Sequence, residues 1–419
     1  MKNINLLFSL ICFVSISVSY AQLTVDAELR PRYEYRHGYK TLFSDDVDAS
    51  SFVSQRTRLN IDYQSEKLRI FLSPQDIRVW GDVPQLNTKD NNGFSLHQAW
   101  AEVFIDSSFT LKVGRQEIVY DDQRMFGSVG WAQQSRSHDA AMVKFKEKNT
   151  KLHLAAAFNQ ERESLTGNIL TLNTYKSFQY IWANQTWNNF SGSFLFLNNG
   201  MQNIEANQYI EGVSYSQTAG FHLNFKNNNL KLSSNLYYQF GEDAFKNDIK
   251  AYLVSLEAKY KTNDEFSFRL GGELQSGNDN TLINDGENNA FQPFYGTNHK
   301  FNGFMDYYYV GNHANSVGLL DLYANVNYAF QPLTNFDLTA HQFFSAAELD
   351  GDSSKDLGLE IDFVFSHQLN KDVGLKLGYS HYLESTGTQV LKNNFDGNTN
   401  NWGWVMLTVN PEIFKFSFD

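Results

Sequence analysis

A chain of 419 residues with a net charge of −12 and a mean hydropathy of −0.43 carries 35 Phe and 22 Tyr but only 6 Pro. The acidic balance excludes general nucleic-acid binding, because phosphate needs a positive face. Beyond the N-terminus no stretch approaches the ~18 consecutive apolar residues of a membrane helix, but a membrane β-barrel escapes such averages because only alternate residues meet lipid.

Lys2, an apolar run from Leu6 to Val18, and Ser19-Tyr20-Ala21 read as a secretory signal peptide over residues 1–21, so the mature chain is expected to begin at Gln22. The only cysteine, Cys12, lies inside that segment behind Ile11, where a lipoprotein site needs a small residue. The mature chain then has no disulfide, thiolate metal site or cysteine nucleophile.

From Leu23 onward, period-two alternation recurs nearly to the end. Leu23, Val25, Ala27 and Leu29 alternate with Asp26, Glu28, Arg30 and Arg32; Leu59, Ile61 and Tyr63 alternate with Arg58, Asn60 and Asp62. The same pattern returns at Phe266–Leu274 and at Leu357–Phe365. A helix would show a 3.6-residue period instead.

The reading predicts 18 strands: 23–36, 52–64, 66–79, 94–105, 108–119, 137–146, 151–159, 176–183, 190–197, 209–225, 229–240, 248–261, 266–275, 317–330, 336–343, 356–367, 373–383 and 401–410. Connections after even-numbered strands are short and polar, whereas most after odd-numbered strands are long: 37–51, 80–93, 120–136, 160–175, 198–208, 276–316, 344–355 and 384–400. Loop lengths segregated by strand parity predict an all-β, up-and-down antiparallel transmembrane barrel, with the tight turns in the periplasm. One barrel domain, 22–419, is expected in the outer membrane. Trp100, Trp182, Trp187, Trp402 and Trp404 are expected in interfacial girdles. Phe414, Phe416 and Phe418 alternate as a C-terminal barrel signal would, although Pro411 interrupts the last strand.

Eleven of the twelve arginines precede residue 163. Arg30, Arg32, Arg56, Arg58 and Arg69 take the inward parity of consecutive strands, which gathers them on one wall. An arginine wall in a pore attracts anions. Asp26, Glu28, Glu34 and Asp62 share that face, so a rigidifying ladder of ion pairs is the competing reading. Asp45, Asp46, Asp48, Asp121, Asp122, Asp279, Asp285, Glu287, Asp350 and Asp352 make the long-loop side acidic, as solvated loops bridged to lipopolysaccharide would be. Asp350-Gly351-Asp352 is too short for a calcium loop, and the ten histidines lack zinc-site spacing. His138-Asp139 beside Ser135 and Ser137 suggests a triad, but adjacent strand residues point to opposite faces. No catalytic residue, metal or cofactor is assigned.

Two stretches resemble the alginate-export family of outer-membrane porins, in the form found in Bacteroidetes-type bacteria. The first includes Arg56-Thr57-Arg58-Leu59, Ser73 to Gly81, Leu96 to Trp100, Gly114 to Glu117, Tyr120 to Arg124 and Ser137-His138-Asp139. The second is Gly296 to Gly303 followed by Asp306 to Asn312. The resemblance implies an 18-stranded barrel passing a polyuronate through an electropositive, loop-gated pore. It adds Arg78, Arg115, Arg124 and Arg136 to Arg56 and Arg58 as the anion path. Arg115 has lipid-facing parity, so a bulge at Gly114 is expected to turn it inward. The 276–316 segment, with His299, Lys300, Asp306, Tyr307, Tyr308 and Tyr309, is the expected gate or sugar-contact loop. The chain thus reads as a non-enzymatic channel for an acidic, uronate-containing oligo- or polysaccharide, set among outer-membrane lipid and lipopolysaccharide. A structural or adhesive barrel with a plugged lumen is the alternative. A periplasmic partner and the direction of transport stay open.

Overall fold

The computed structural model describes residues 21–87, 89–90, 93–280, 286–350 and 354–418. The expected signal peptide therefore lies outside the described residues except for Ala21, and so do Asp285 and Asp352. In chain order the strands are β1 Ala21–His37, β2 Ser50–Gln64, β3 Leu68–Val79, β4 Ser95–Phe104, β5 Phe109–Gln116, β6 His138–Glu147 and β7 Thr150–Phe158. Next come β8 Ser177–Trp187, β9 Phe190–Glu205, β10 Gln208–Asn227, β11 Leu230–Glu242, β12 Asp248–Lys261, β13 Phe266–Gln275 and the two-residue β14 Glu287–Asn288. After these follow β15 Leu319–Gln331, β16 Thr334–Phe344, β17 Asp356–Asn370, β18 Val373–Leu383, β19 Asn400–Val409 and β20 Glu412–Phe418.

Each wall strand pairs antiparallel with the next, and β1 closes the ring. Leu29 to His37 of β1 pair with β19, while Ala21 to Asp26 pair with β20. Pro411 cannot donate to the ladder, so it breaks one wall strand into β19 and β20. Its carbonyl still accepts from Ala27 N at 3.1 Å. Counting that pair once, and leaving out β14, which bridges β12 in parallel, the barrel has eighteen strands. Closure leaves no unpaired edge, which a lipid-embedded sheet requires.

The pleat separates two environments. Leu29, Val254, Leu256 and Leu270 face outward and are 39–65% exposed, whereas Arg30, Arg56, Glu273 and Glu360 face inward. Replacing Leu256 by Arg should cost about 2–4 kcal/mol, whereas the same change at Tyr260, beside the short-turn rim, should cost roughly 0–1 kcal/mol. Denaturant unfolding from lipid vesicles measures both; equal costs would mean that this face does not span hydrocarbon.

Two sequence expectations change. The presumed long loop 198–208 is a hairpin: β9 and β10 extend past the rim and turn at Ala206 and Asn207, with φ of 49° and 60°. Two left-handed residues in succession suit a two-residue hairpin turn. Trp100, Trp182, Trp402 and Trp404 point inward and are at most 8% exposed; Trp187 is the exposed one of the five. Polar acceptors in the lumen meet two of these indoles: Trp182 Nε1 donates to Asp121 and Trp402 Nε1 to Glu34, both at 3.1 Å. Exposed Tyr35, Tyr215 and Tyr252 near the long-loop rim, and Phe109, Tyr260 and Phe330 near the short-turn rim, occupy the girdle positions instead. A short helix not anticipated from sequence, α1 Thr386–Lys392, lies in the loop before β19, capped by Ser385 Oγ accepting from Thr388 N at 3.3 Å.

Candidate functional site

Two long loops fold into the barrel. Residues 117–137, between β5 and β6, lie against β1 and β2. Residues 286–318, ahead of β15, cross the lumen toward β17. The wall holds each loop by a different chemistry.

On β1 and β2 the arginine row meets backbone carbonyls and the Gln133 and Ser135 side chains of the loop. Arg30 Nη1 donates to Gly130 O at 2.7 Å, and its Nε and Nη2 reach Gln133 Oε1 at 3.2 and 3.0 Å. Arg32 Nη1 donates to Trp131 O at 2.6 Å. Arg56 Nη1 reaches Ser135 Oγ at 2.8 Å and Gln133 O at 3.3 Å, while its Nη2 pairs with Glu28 at 2.5 Å. Arg58 holds Gln75 Oε1 at 2.8 Å and Gln134 O at 3.5 Å. All four arginines are 5–8% exposed, because the loop covers them.

On β17 acidic side chains meet backbone amides. Glu360 Oε1 accepts from Met305 N at 2.7 Å, and Asp362 Oδ2 accepts from Phe304 N at 3.3 Å. Gly303, at φ +81°, packs on the Glu360 carboxyl so closely that a Cβ would fall 2.6 Å from it; only glycine fits.

The loops are also joined to each other. Gly127 N donates to Tyr295 O at 2.8 Å and Thr297 N to Gln123 O at 2.9 Å. Arg124, fully buried, pairs with Glu273 and donates to Asn302 Oδ1 at 2.9 Å. Lys300 Nζ donates to Asp122 O at 2.7 Å.

This junction separates two chambers. The chamber on the long-loop side, about 630 Å³, is lined by five basic side chains, Arg32, Arg36, Lys40, Arg78 and Arg136, against the carboxylates Glu34, Asp82 and Asp306. Glu34 takes Arg32 at 2.8 Å and Arg36 at 2.9 Å. Asp306 accepts from the Tyr39 hydroxyl and pairs with His299 Nδ1 at 2.6 Å. Burial, and then the facing Asp306 carboxylate, push the Tyr39 phenol well above its ordinary pKa, which keeps that donor protonated. Arg136 and Lys40 rest on backbone carbonyls, Gly296 O at 3.0 Å and Val310 O at 2.9 Å. Burial lowers the Arg136 pKa from its high ordinary value. The Arg36 and Arg78 side chains are 33% and 32% exposed, within reach of a solute, with Arg78 held by Asp76 at 2.6 Å and Asp90 at 2.8 Å. The chamber on the short-turn side, about 570 Å³, has the opposite balance: six carboxylates, among them Asp121, Asp122 and Glu257, face Lys231, Lys259, Arg269 and Lys300.

The sequence candidates therefore separate. Arg32, Arg78 and Arg136 line the outer chamber with His299, Asp306 and Tyr309. Arg30, Arg56 and Arg58 anchor the 117–137 loop, and Arg124 joins the two loops. Arg69 pairs with Asp62 at 2.7 Å toward the short-turn rim. Tyr307 stacks on Tyr382 at 4.1 Å and donates to Gly38 O at 2.6 Å, and Tyr308 shares a 2.8 Å hydroxyl bond with Tyr382; both are packing inside the plug. The expected bulge at Gly114 is not formed: the register runs unbroken from Val113 to Arg115 on both sides. Gly114 instead lets β4 approach, since a Cβ there would meet Ala99 O at 2.3 Å. Arg115 consequently points out of the barrel, paired with Asp139 at 2.8 Å. Arg36 and Lys40 escaped the sequence reading, although Arg36 continues the inward parity of Arg30, Arg32 and Glu34.

A closed eighteen-strand barrel with a lipid-facing exterior and a charged, loop-lined interior defines an outer-membrane channel of the porin class. The alginate export family profile matches residues 21–384, and the chain belongs to that family. Among solved structures, it is similar to Pseudomonas aeruginosa OccK11 (OpdR), with a TM-score of 0.62 and 13% identity over 94% of this chain and 96% of that one. Acinetobacter baumannii OccAB4 has a TM-score of 0.62 and 14% identity over 95% and 98% of the two chains. Pseudomonas aeruginosa OpdK, solved with vanillate, has a TM-score of 0.60 and 13% identity over 95% and 99%. At these identities the likeness is one of fold. No curated protein matches the chain.

Proposed function

We propose that this channel passes an anionic, uronate-containing oligo- or polysaccharide without cleaving it, and that the basic outer chamber receives the carboxylates. The observation that carries the reading is that Arg136 and Lys40 rest there on neutral carbonyls, beside the part-exposed Arg36 and Arg78, which are paired with Glu34 and with Asp76 and Asp90. A planar guanidinium matches a carboxylate edge to edge. Several weak stations let a polyanion enter and leave, as conduction requires. Membership of the alginate export family supports a uronate, and vanillate, the molecule present with OpdK, is itself a carboxylate.

The test is the Arg36→Ala, Arg78→Ala, Arg136→Ala triple variant in a planar bilayer. Anion over cation selectivity, read from the reversal potential in a salt gradient, should fall several-fold, and block of the current by oligouronates should weaken about tenfold or more. Unchanged selectivity and block in a folded triple variant would remove this chamber from the solute path.

A further inference from the structure

The membrane-facing wall from β5 to β10 carries polar groups that hydrocarbon cannot satisfy. Its side chains form register rows. Nearest the long-loop rim, Arg115 is paired with Asp139, and their side chains are 43% and 59% exposed. The row below runs Ala141, Ala156, Gln179, Asn198, Gln217 across five strands. Its amides are linked, Gln217 to Asn198 and Asn198 to Gln179, each at 2.8 Å. The third row, with Val143, Leu154 and Ile181, is apolar. The two alanines leave a groove of about 730 Å³ between the taller side chains of Val113, Phe158 and Tyr215. Lys176 also lines it, its ammonium held by the neutral oxygens of Gln160 and Asn168.

Charge, then amide, then hydrocarbon is the order of polarity along a membrane lipid: phosphate, carbonyl linkage, acyl chain. Bulk acyl chains would leave the upper two rows unmet, which is costly on a lipid-exposed face. The Arg115 bonds to Asp139 and to Leu96 O at 3.0 Å use two of its five donors, so one guanidinium edge remains for a phosphate. Because long loops lie on the cell exterior, the groove faces the outer leaflet. We propose that this wall is a binding site for lipid A of lipopolysaccharide, with a phosphate on Arg115, the linkage carbonyls on the Gln179–Asn198–Gln217 amides and an acyl chain along Ala141 and Ala156.

Native mass spectrometry of the full barrel in detergent, titrated with diphosphoryl lipid A, tests this. The protein should retain one lipid A at least tenfold more tightly than phosphatidylglycerol or phosphatidylcholine. Arg115→Ala and Arg115→Gln should each weaken retention about tenfold, as should Ala141→Leu with Ala156→Leu, which fills the groove from the membrane side. Arg36→Ala, inside the barrel, should leave retention unchanged, and heat-modifiable gel migration identifies folded variants. Equal retention of the three lipids, or undiminished lipid A on folded Arg115 and groove variants, overturns the proposal. So does displacement by inorganic phosphate at equal affinity, which would mark a bare anion site. A change of oligomeric mass in the groove variant without loss of lipid would assign the face to a second copy and overturn it as well.

Discussion

Removing the Arg30 and Arg56 side chains together should open the barrel without dismantling it. Hydrogen bonds to charged groups contribute roughly 1.5–3 kcal/mol each, and these two arginines supply the 2.7 Å bond to Gly130 O and the 2.8 Å bond to Ser135 Oγ, besides the contacts to Gln133. Losing about 3–6 kcal/mol of anchoring shifts a docked loop toward its released state by roughly 10²–10⁴-fold, at ten-fold per 1.4 kcal/mol. The ladders of β1 and β2 do not involve those side chains, so strand pairing survives. Arg30→Ala with Arg56→Ala should therefore raise single-channel conductance several-fold and expose residues 117–137 to protease, with normal heat-modifiable migration. A folded double variant with the parent's conductance and protease resistance would show that these arginines do not hold the loop.

The largest stability effect is expected at Glu273. Its removal strands Arg124, whose side chain is 0% exposed. Burial depresses the Arg124 pKa to about 10, which still leaves the group charged at neutral pH. It therefore cannot escape the cost by losing its proton. Truncating one partner of a buried ion pair costs about 3–5 kcal/mol, whereas replacing both by apolar groups of similar volume is often near neutral. Glu273→Ala should lower the thermal midpoint in detergent and admit protease to 286–318, while Arg124→Leu with Glu273→Leu recovers most of the loss. Equal destabilisation by the single and double changes would place the cost in packing rather than in the orphaned charge.

The wall of this protein is legible because the pleat imposes a local rule. In β1, the alternation of Leu29 with Arg30 states which side meets lipid without reference to any distant residue, and the same rule leads from Arg30 to Arg36. Loop-length parity, also local, separates the two rims. The interior depends on contacts that no local rule encodes. Arg30 meets Gly130 a hundred residues away, and among the described residues its partners apart from Gln133 Oε1 are main-chain oxygens, which every residue has and which leave no mark in sequence. Arg115 shows the converse: its parity alone points outward, and the structure keeps it there, while the bulge assumed in order to bring it inside has no physical basis once Gly114 serves the β4–β5 contact. Trp182 and Trp402 do not mark the girdle because an indole N–H near a carboxylate, as at Trp402 and Glu34, is better placed in the wet interior than at the lipid boundary. The β9–β10 hairpin was hidden because Ala206 is not a customary left-handed residue, so the turn reads as loop.

The guanidinium groups of β1 and β2 grip carbonyls together with the Gln133 and Ser135 side chains, and the carboxylates of β17 grip amides. Where the wall holds only the peptide unit, as Arg30 holds Ala132 O at 3.3 Å, the side chain at that position can change while the segment stays in place. Solute preference can thus be rewritten by point changes on the inserted segments, with the surrounding staves left as they are: one frame, many filters.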